Sequence, residues 1–450
     1  MDSNVRALRG EAVTFKADPF LTASEEAMVH LEDALVLIKN GRITAFGDFT
    51  ALKSEIPSGV EVEHYRHALI SAGFIDAHVH YPQIQMINAY GHHLIDWLNL
   101  YTFPTEQEFI DKAYATAVAD RFLDELLRAG TTTASVYCTV HPQSVDAFFE
   151  QSMRRNTRMI AGKVMMDRHA PSSLLDTAQT SYDDSLSLYN RWHGQGRQLY
   201  AVTPRFAPTS TDAQLEAAGA LFKEKSREGI YMQTHLDEQT AEIAWVKELF
   251  PNRKNYLDVY DHAGLVGKRS VFGHCIHTSE AACAVLHEKG AGICHCPTSN
   301  LFLGSGLFNI GLAKSPRRPV RTGLGTDLGA GTSFSLLQTS GEAYKVAQLN
   351  DTALNAAQGL YLATRGGAEL LYLEDKIGSL APGMEADIVV LDLLATPFMR
   401  WRMEHCKNFQ ERLFVLLNMG DASTVRSTYV HGEKLYDRDK PGHQFMIPAT

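Results

Sequence analysis

The chain has 450 residues, 45% of them hydrophobic, and a formal charge of −10, so it holds apolar material for one large domain and a smaller one. That acidic balance, with no offsetting basic block, excludes nonspecific attraction to nucleic acid or anionic membrane and favours a small, locally recognised substrate. Six cysteines without framework spacing or any CxxC exclude a disulfide scaffold and predict reduced thiols.

The opening stretch MDSNVRALRGEAVTFKADPF lacks the apolar core of a signal peptide. No apolar run approaches bilayer-spanning length, and a cytoplasmic protein is expected. Residues 31–68 contain LEDALVLIKNGRITAFGDF, two apolar runs around Asn40-Gly41, which is a tight-hairpin signal. Eight short segments rich in β-branched or small apolar residues follow, at 73–79, 131–138, 158–165, 198–204, 230–235, 270–274, 291–296 and 321–326. Helix-like stretches lie between them. In PTEQEFIDKAYATAVADRFLDELLRAG the pattern predicts one outer helix with a Thr105 cap, an apolar face of Phe109, Ala113, Phe122 and Leu126, and a stop at Gly130. Alternation of this kind over about 250 residues predicts an α/β fold, a (β/α)8 TIM-type barrel. Beyond it, IGSLAPGMEADIVVLDL and VRSTYVHGEKLYD predict further short strands. A lone hairpin is only marginally stable, so the two ends are expected to pair. The expected organisation is a small β-sandwich-like domain from 1–68 and 378–450, with a C-terminal helical segment, around a barrel at 69–377.

The carboxyl ends of barrel strands share one mouth, where function sits. In GFIDAHVHYPQ, strand alternation places His78 and His80 on one face. The fourth segment ends at Arg205 and Phe206, the fifth at His235 with Glu238 shortly after, the sixth at His274 and the eighth at Asp327. Three imidazoles and a carboxylate suit a borderline divalent ion such as Zn2+, one per subunit, with Fe2+ also chemically acceptable. Such an ion lowers the pKa of a bound water from roughly 15.7 to about 7. His78, His80, His235 and Asp327 are the candidate metal ligands. His274 reads as a hydrogen-bonding partner of the water, and Glu238 as a proton shuttle, with Asp237 a competitor that spacing does not separate. A second ion would need an anionic bridge, for which Lys163 is the one local candidate, so one ion is expected. Cys294 and Cys296 flank His295 and read as buried structural thiols.

The strings FIDAHVH, THLDE, GHC and GTD, in this order, resemble the amidohydrolase superfamily. HYPQ, WLNLYTFPTE, GKVMMD, PRFAPT, HCPTSN and LGTDLGAG resemble its guanine deaminases, and the resemblance runs from the hairpin near residue 31 past GMEADIVVLD. Two departures are Ala72, where the superfamily has proline, and the extra His277 in GHCIH, read as a loop residue. The resemblance implies hydrolytic deamination of guanine to xanthine and ammonia with one zinc, in a homodimer. Gln83 and Arg205 resemble the groups that hydrogen-bond the purine's polar edge, and Phe206 the ring near its face. In the implied chemistry Glu238 protonates a ring nitrogen, Asp327 relays the water's proton and His274 holds the nucleophile. Rival readings are another amino- or chloro-substituted heterocycle, such as a triazine, adenine analogue or pterin, and a noncatalytic barrel scaffold. The signature of cytidine-type zinc deaminases is absent. Trp97 is left open between closing the pocket and ordinary packing.

Overall fold

The computed structural model describes residues 5–91, 94–440 and 445–447. Eight strands run parallel in chain order: β1 (Phe74–His80), β2 (Thr131–Tyr137), β3 (Arg158–Gly162), β4 (Leu199–Pro204), β5 (Tyr231–Leu236), β6 (Ser270–His274), β7 (Gly292–His295) and β8 (Arg321–Leu324). Every residue of β1, β2, β3, β6 and β7 is buried, as expected of parallel strands covered on both faces. The two ends of the sheet meet, because Asp327 N donates to His78 O at 2.9 Å and the Asp76 carboxylate accepts from Thr326 N at 3.0 Å. The third expected strand is broken. After Gly162 the chain resumes pairing to β4 only over Val164–Met165, and a Cβ at 162 would lie 1.8 Å from Ala201 O.

The expected single outer helix is three pieces. A short helix spans Phe103–Gln107, a 3-10 turn Glu108–Ile110, and the long helix Lys112–Arg128. Thr105 caps nothing; its hydroxyl donates back to Tyr101 O. Asp111 is the cap, accepting from Ala113 N at 2.8 Å. The buried face is Ala115, Val118, Ala119, Phe122, Leu123, Leu126 and Leu127, and Ala113 is exposed. Asp is an equally good cap, and the helix begins where its own apolar stripe begins. Its last turn gives way to Gly130 at φ 83°, which carries the chain into β2.

The two chain ends form one seven-stranded mixed sheet, in the order Glu433–Asp437, Val425–Val430, Ile388–Asp392, Val62–Ala72, Val5–Phe15, Met28–Lys39 and Arg42–Asp48. The Asn40-Gly41 hairpin forms, with φ 51° and 77° at its two turn residues. Sheet and barrel are joined where Arg158, at the start of β3, and Arg197, before β4, clamp Glu385: Arg158 donates at 2.6 and 3.0 Å and Arg197 at 2.6 Å. Arg197 also pairs with Asp387. These charges lie at the amino ends of the strands, remote from the mouth. Among the described residues, no helix is long and apolar enough to cross a membrane.

Candidate active site

His78, His235, His274 and Asp327, all buried, each offer a ligand atom, and those atoms lie within 4.8 Å of one another. That is close to the ~4 Å span of two ligands at about 2.0–2.2 Å on either side of an ion. His80 joins the same centre. Its Nε2 is 3.2 Å from His235 Nε2 and 3.4 Å from Asp327 Oδ1. The structure therefore brings together every ligand candidate read from the sequence, and His274 stands among them rather than outside. Strand geometry explains the convergence: β1 aims His78 and His80 inward, while β5, β6 and β8 deliver the others at their carboxyl ends. The chain bends sharply there. Asp237, His274, Cys275 and Asp327 all adopt left-handed φ values, between 46° and 68°, a conformation that costs about 1–3 kcal/mol per residue and clusters at functional sites.

The charge states suit a cation. Burial holds His80 and His235 well below the usual imidazole range, reinforced by neighbouring His78, so each keeps a lone pair. Burial also lowers His78 despite the nearby Asp327. For Asp327 burial acts upward, but His78 and the other imidazoles outweigh it and bring the carboxyl down to about 2. His78 Nδ1 and Nε2, His80 Nδ1 and His274 Nε2 are buried with no hydrogen-bond partner. An orphaned polar atom costs about 1–3 kcal/mol, and two of these, His78 Nε2 and His274 Nε2, lie 3.3 and 3.8 Å from the Asp327 carboxylate, where an electron-pair acceptor would satisfy them.

Neighbours orient these rings in the way that metal-binding imidazoles require. His235 Nδ1 is 2.7 Å from Arg205 O, which leaves Nε2 facing the centre. His274 Nδ1 is 2.8 Å from Asn300 Oδ1. Burial alone would lower His274, but the Glu238 and Asp327 carboxylates and the Asn300 contact raise it on balance. Glu238 is 3.5 Å from His274 Nε2 and accepts from Ser305 Oγ at 3.3 Å. Burial raises its carboxyl above the usual range, against the pull of His274. Its competitor Asp237 points elsewhere, accepting from Thr278 Oγ1.

His80, His235, Glu238 and Asp327 line a pocket whose other walls include Gln83, Arg205, Phe206, Trp97 and Leu303. Trp97 is both buried and a wall, its indole held by Ala89 O at 3.2 Å. Lys163 is not near an ion bridge but pairs with Asp176, and His277 is an exposed loop residue. Cys294 and Cys296 are buried side by side, Sγ to Sγ 3.9 Å. The sequence reading missed Glu106, Asn300, Ser305 and Asp76. Glu106 sits inside the first helical pattern, where acidic residues are ordinarily solvated, and only its long-range partners reveal it.

The amidohydrolase family matches residues 69–435. A guanine deaminase of Escherichia coli (strain K12) is 50% identical over 92% of this chain and 93% of its own length. A probable guanine deaminase of Deinococcus radiodurans is 38% identical, over 94% and 97%. The solved structure of E. coli guanine deaminase superposes with a TM-score of 0.93 at 48% identity, covering 96% of this chain and all of the other.

Proposed function

The chain belongs to the amidohydrolase family, and on that premise we propose that it hydrolyses guanine to xanthine and ammonia, using one divalent ion, zinc for preference. One observation carries the reading: one pocket is lined by His80, His235 and Asp327 of the donor group and by Glu238 together with Arg205, Gln83 and Phe206. The relatives named as guanine deaminases support the choice of substrate.

His78, His80, His235 and Asp327 would hold the ion, with His274 at its edge. When bound, the ion supplies Lewis acidity and makes water a better nucleophile near neutral pH. Asp327 takes one proton from the attacking water as its oxygen adds to C2 of the base. Glu238, whose carboxyl burial raises, gives a proton to the adjacent ring nitrogen, which accepts the electrons of the opened C=N bond. Asp327 then passes its proton to the amino group. As ammonia leaves, Glu238 recovers a proton from the hydroxyl on C2, and the carbonyl of xanthine forms. His274, fixed by Asn300, hydrogen-bonds the oxygen throughout. Phe206 packs against the ring face. We also propose that the enzyme is cytoplasmic and a homodimer; sizing by light scattering tests the assembly.

The deciding experiment follows the loss of guanine absorbance beside adenine, cytosine and a chlorotriazine, with metal analysis of the same sample. Turnover of guanine alone, lost on chelation and restored by zinc, is expected. Preferential turnover of the chlorotriazine, or guanine turnover indifferent to chelation, refutes the reading.

A further inference from the structure

Glu106 is a carboxylate with no exposed surface, carried by the short helix Phe103–Gln107 behind the pocket-lining Gln83 and Arg205. Its Oε1 accepts from Gln83 Nε2 at 3.3 Å and from Arg205 Nη1 at 2.9 Å, and its Oε2 accepts from Arg205 Nη1 at 2.8 Å. A carboxylate only accepts hydrogen bonds, so whichever end of the Gln83 amide faces it must be the NH2. The amide oxygen is thereby turned away from Glu106. Gly329, at φ 122°, leaves room for it: a Cβ there would lie 2.1 Å from Gln83 Oε1. Among the described residues no protein donor engages Gln83 Oε1, and no protein acceptor engages Arg205 Nε or Nη2. Both side chains line the pocket. The wall thus offers a substrate an acceptor from Gln83 beside donors from Arg205.

We infer that Glu106 is the positioning residue that sets this polarity, and so selects 6-oxopurines over 6-aminopurines. The inference rests on the guanine reading above and adds the residue that fixes which purine edge is accepted. A 6-oxopurine presents a carbonyl acceptor at C6 and an N–H donor at N1, the complement of Arg205 and Gln83. A 6-aminopurine presents a donor at C6 and a bare acceptor at N1. Its amino group meets the guanidinium, and its N1 meets the Gln83 oxygen. Buried polar groups left mismatched in this way are what make such sites discriminate strongly. Without Glu106 the Gln83 amide is free to turn over and Arg205 loses its anchor, so the wall becomes indifferent to the edge presented.

The test measures hypoxanthine and adenine binding by calorimetry, together with guanine kcat and KM, for the metal-loaded enzyme and three variants. Glu106→Gln sets an amide NH2 against Arg205 Nη1 whichever way it turns, because both carboxylate oxygens accept from that nitrogen, and is expected to narrow the hypoxanthine-to-adenine affinity ratio by about 10- to 100-fold. KM for guanine should rise more than kcat falls, with metal content unchanged. The swap Gln83→Glu with Glu106→Gln moves the carboxylate across the contact and still turns an acceptor oxygen to the pocket, so it should regain most of the ratio. Glu106→Asp, which keeps the acceptor but withdraws it by one methylene, should narrow the ratio less, and it carries the test if the glutamine variant does not fold. An unchanged ratio in Glu106→Gln overturns the inference, as does an unchanged ratio in Glu106→Asp standing in for it, or a swap no better than the single variant. Native enzyme that prefers hypoxanthine but does not turn over guanine sinks the deaminase reading alone. Native enzyme that turns over guanine without that preference sinks this inference alone.

Discussion

Gly325 is a sensitive point of the metal centre because it lies where β8 crosses β1. A Cβ added there would stand 2.6 Å from Cys294 Sγ, 2.8 Å from His78 Cβ and 2.9 Å from His78 O. Ordinary contact begins near 3.5 Å, so in Gly325→Ala the end of β8 must retreat from β1 by about 0.6–0.7 Å, and Cys294 Sγ must give way by about 0.9 Å. Two of these three atoms belong to His78, one of them backbone, and cannot swing aside. Asp327 follows two residues later, tied to His78 O through its own N–H at 2.9 Å. A coordination site tolerates deviations of only about ±0.2 Å, so a shift of this size separates Asp327 from the imidazoles. Metal affinity should fall by about 10- to 100-fold, the scale seen when ligand support is removed, and overpacking should cost about 1–3 kcal/mol of stability. The assay is zinc content after equilibration against graded chelator, read beside guanine turnover at saturating zinc. Native zinc affinity in a folded Gly325→Ala protein refutes the reasoning, because the clash would then have been absorbed without moving a ligand.

Glu238→Gln is expected to keep stoichiometric metal and lose about 100- to 10,000-fold in kcat, whereas His235→Ala loses metal and activity together; elemental analysis beside turnover separates the two. Asn300→Ala frees His274 Nδ1 and should lower activity by about 10- to 100-fold with a displaced pH profile, and an unaltered profile would show that the 2.8 Å contact does not tune the ring. At the barrel–sheet joint, burial would raise the Glu385 carboxyl, but Arg197 and Arg158 hold it at about 2, against an ordinary 4.5. Because the folded value is the lower one, its contribution of about 2–3 kcal/mol is complete above pH 4.5 and is lost as pH falls towards 2. Glu385→Gln, which leaves the buried Arg158 guanidinium without a carboxylate while Arg197 keeps Asp387, should be less stable at pH 7 by about 3–5 kcal/mol. Its urea midpoint should also fall less than the native protein's between pH 4.5 and 2, and identical pH slopes would contradict the assignment.

Much of the fold is legible in local pattern. Apolar segments at regular spacing announce the parallel strands, because a strand covered on both faces needs no polar alternation. Asn40-Gly41 announces its hairpin through the positive φ of both residues. The break after Gly162 is not legible, since it arises from the approach of the Ala201 carbonyl on another strand. The displaced helix start has a similar origin: Thr105 and Asp111 are both good caps on paper, and packing of Phe109 and Ala115 in the core chooses between them.

For the site, sequence order alone determined which residues end the strands, and hence that His78, His80, His235, His274 and Asp327 share one rim. Residue type and position along a strand carry that information. Tertiary structure decided the rest: that His274 stands within the donor group, that Asn300 and Arg205 O orient two of the rings, and that Glu106 is buried against Gln83 and Arg205 instead of solvated. These are contacts between groups 23 to 99 residues apart in the chain. Their energies depend on distance and burial in space, which no local stretch of sequence encodes.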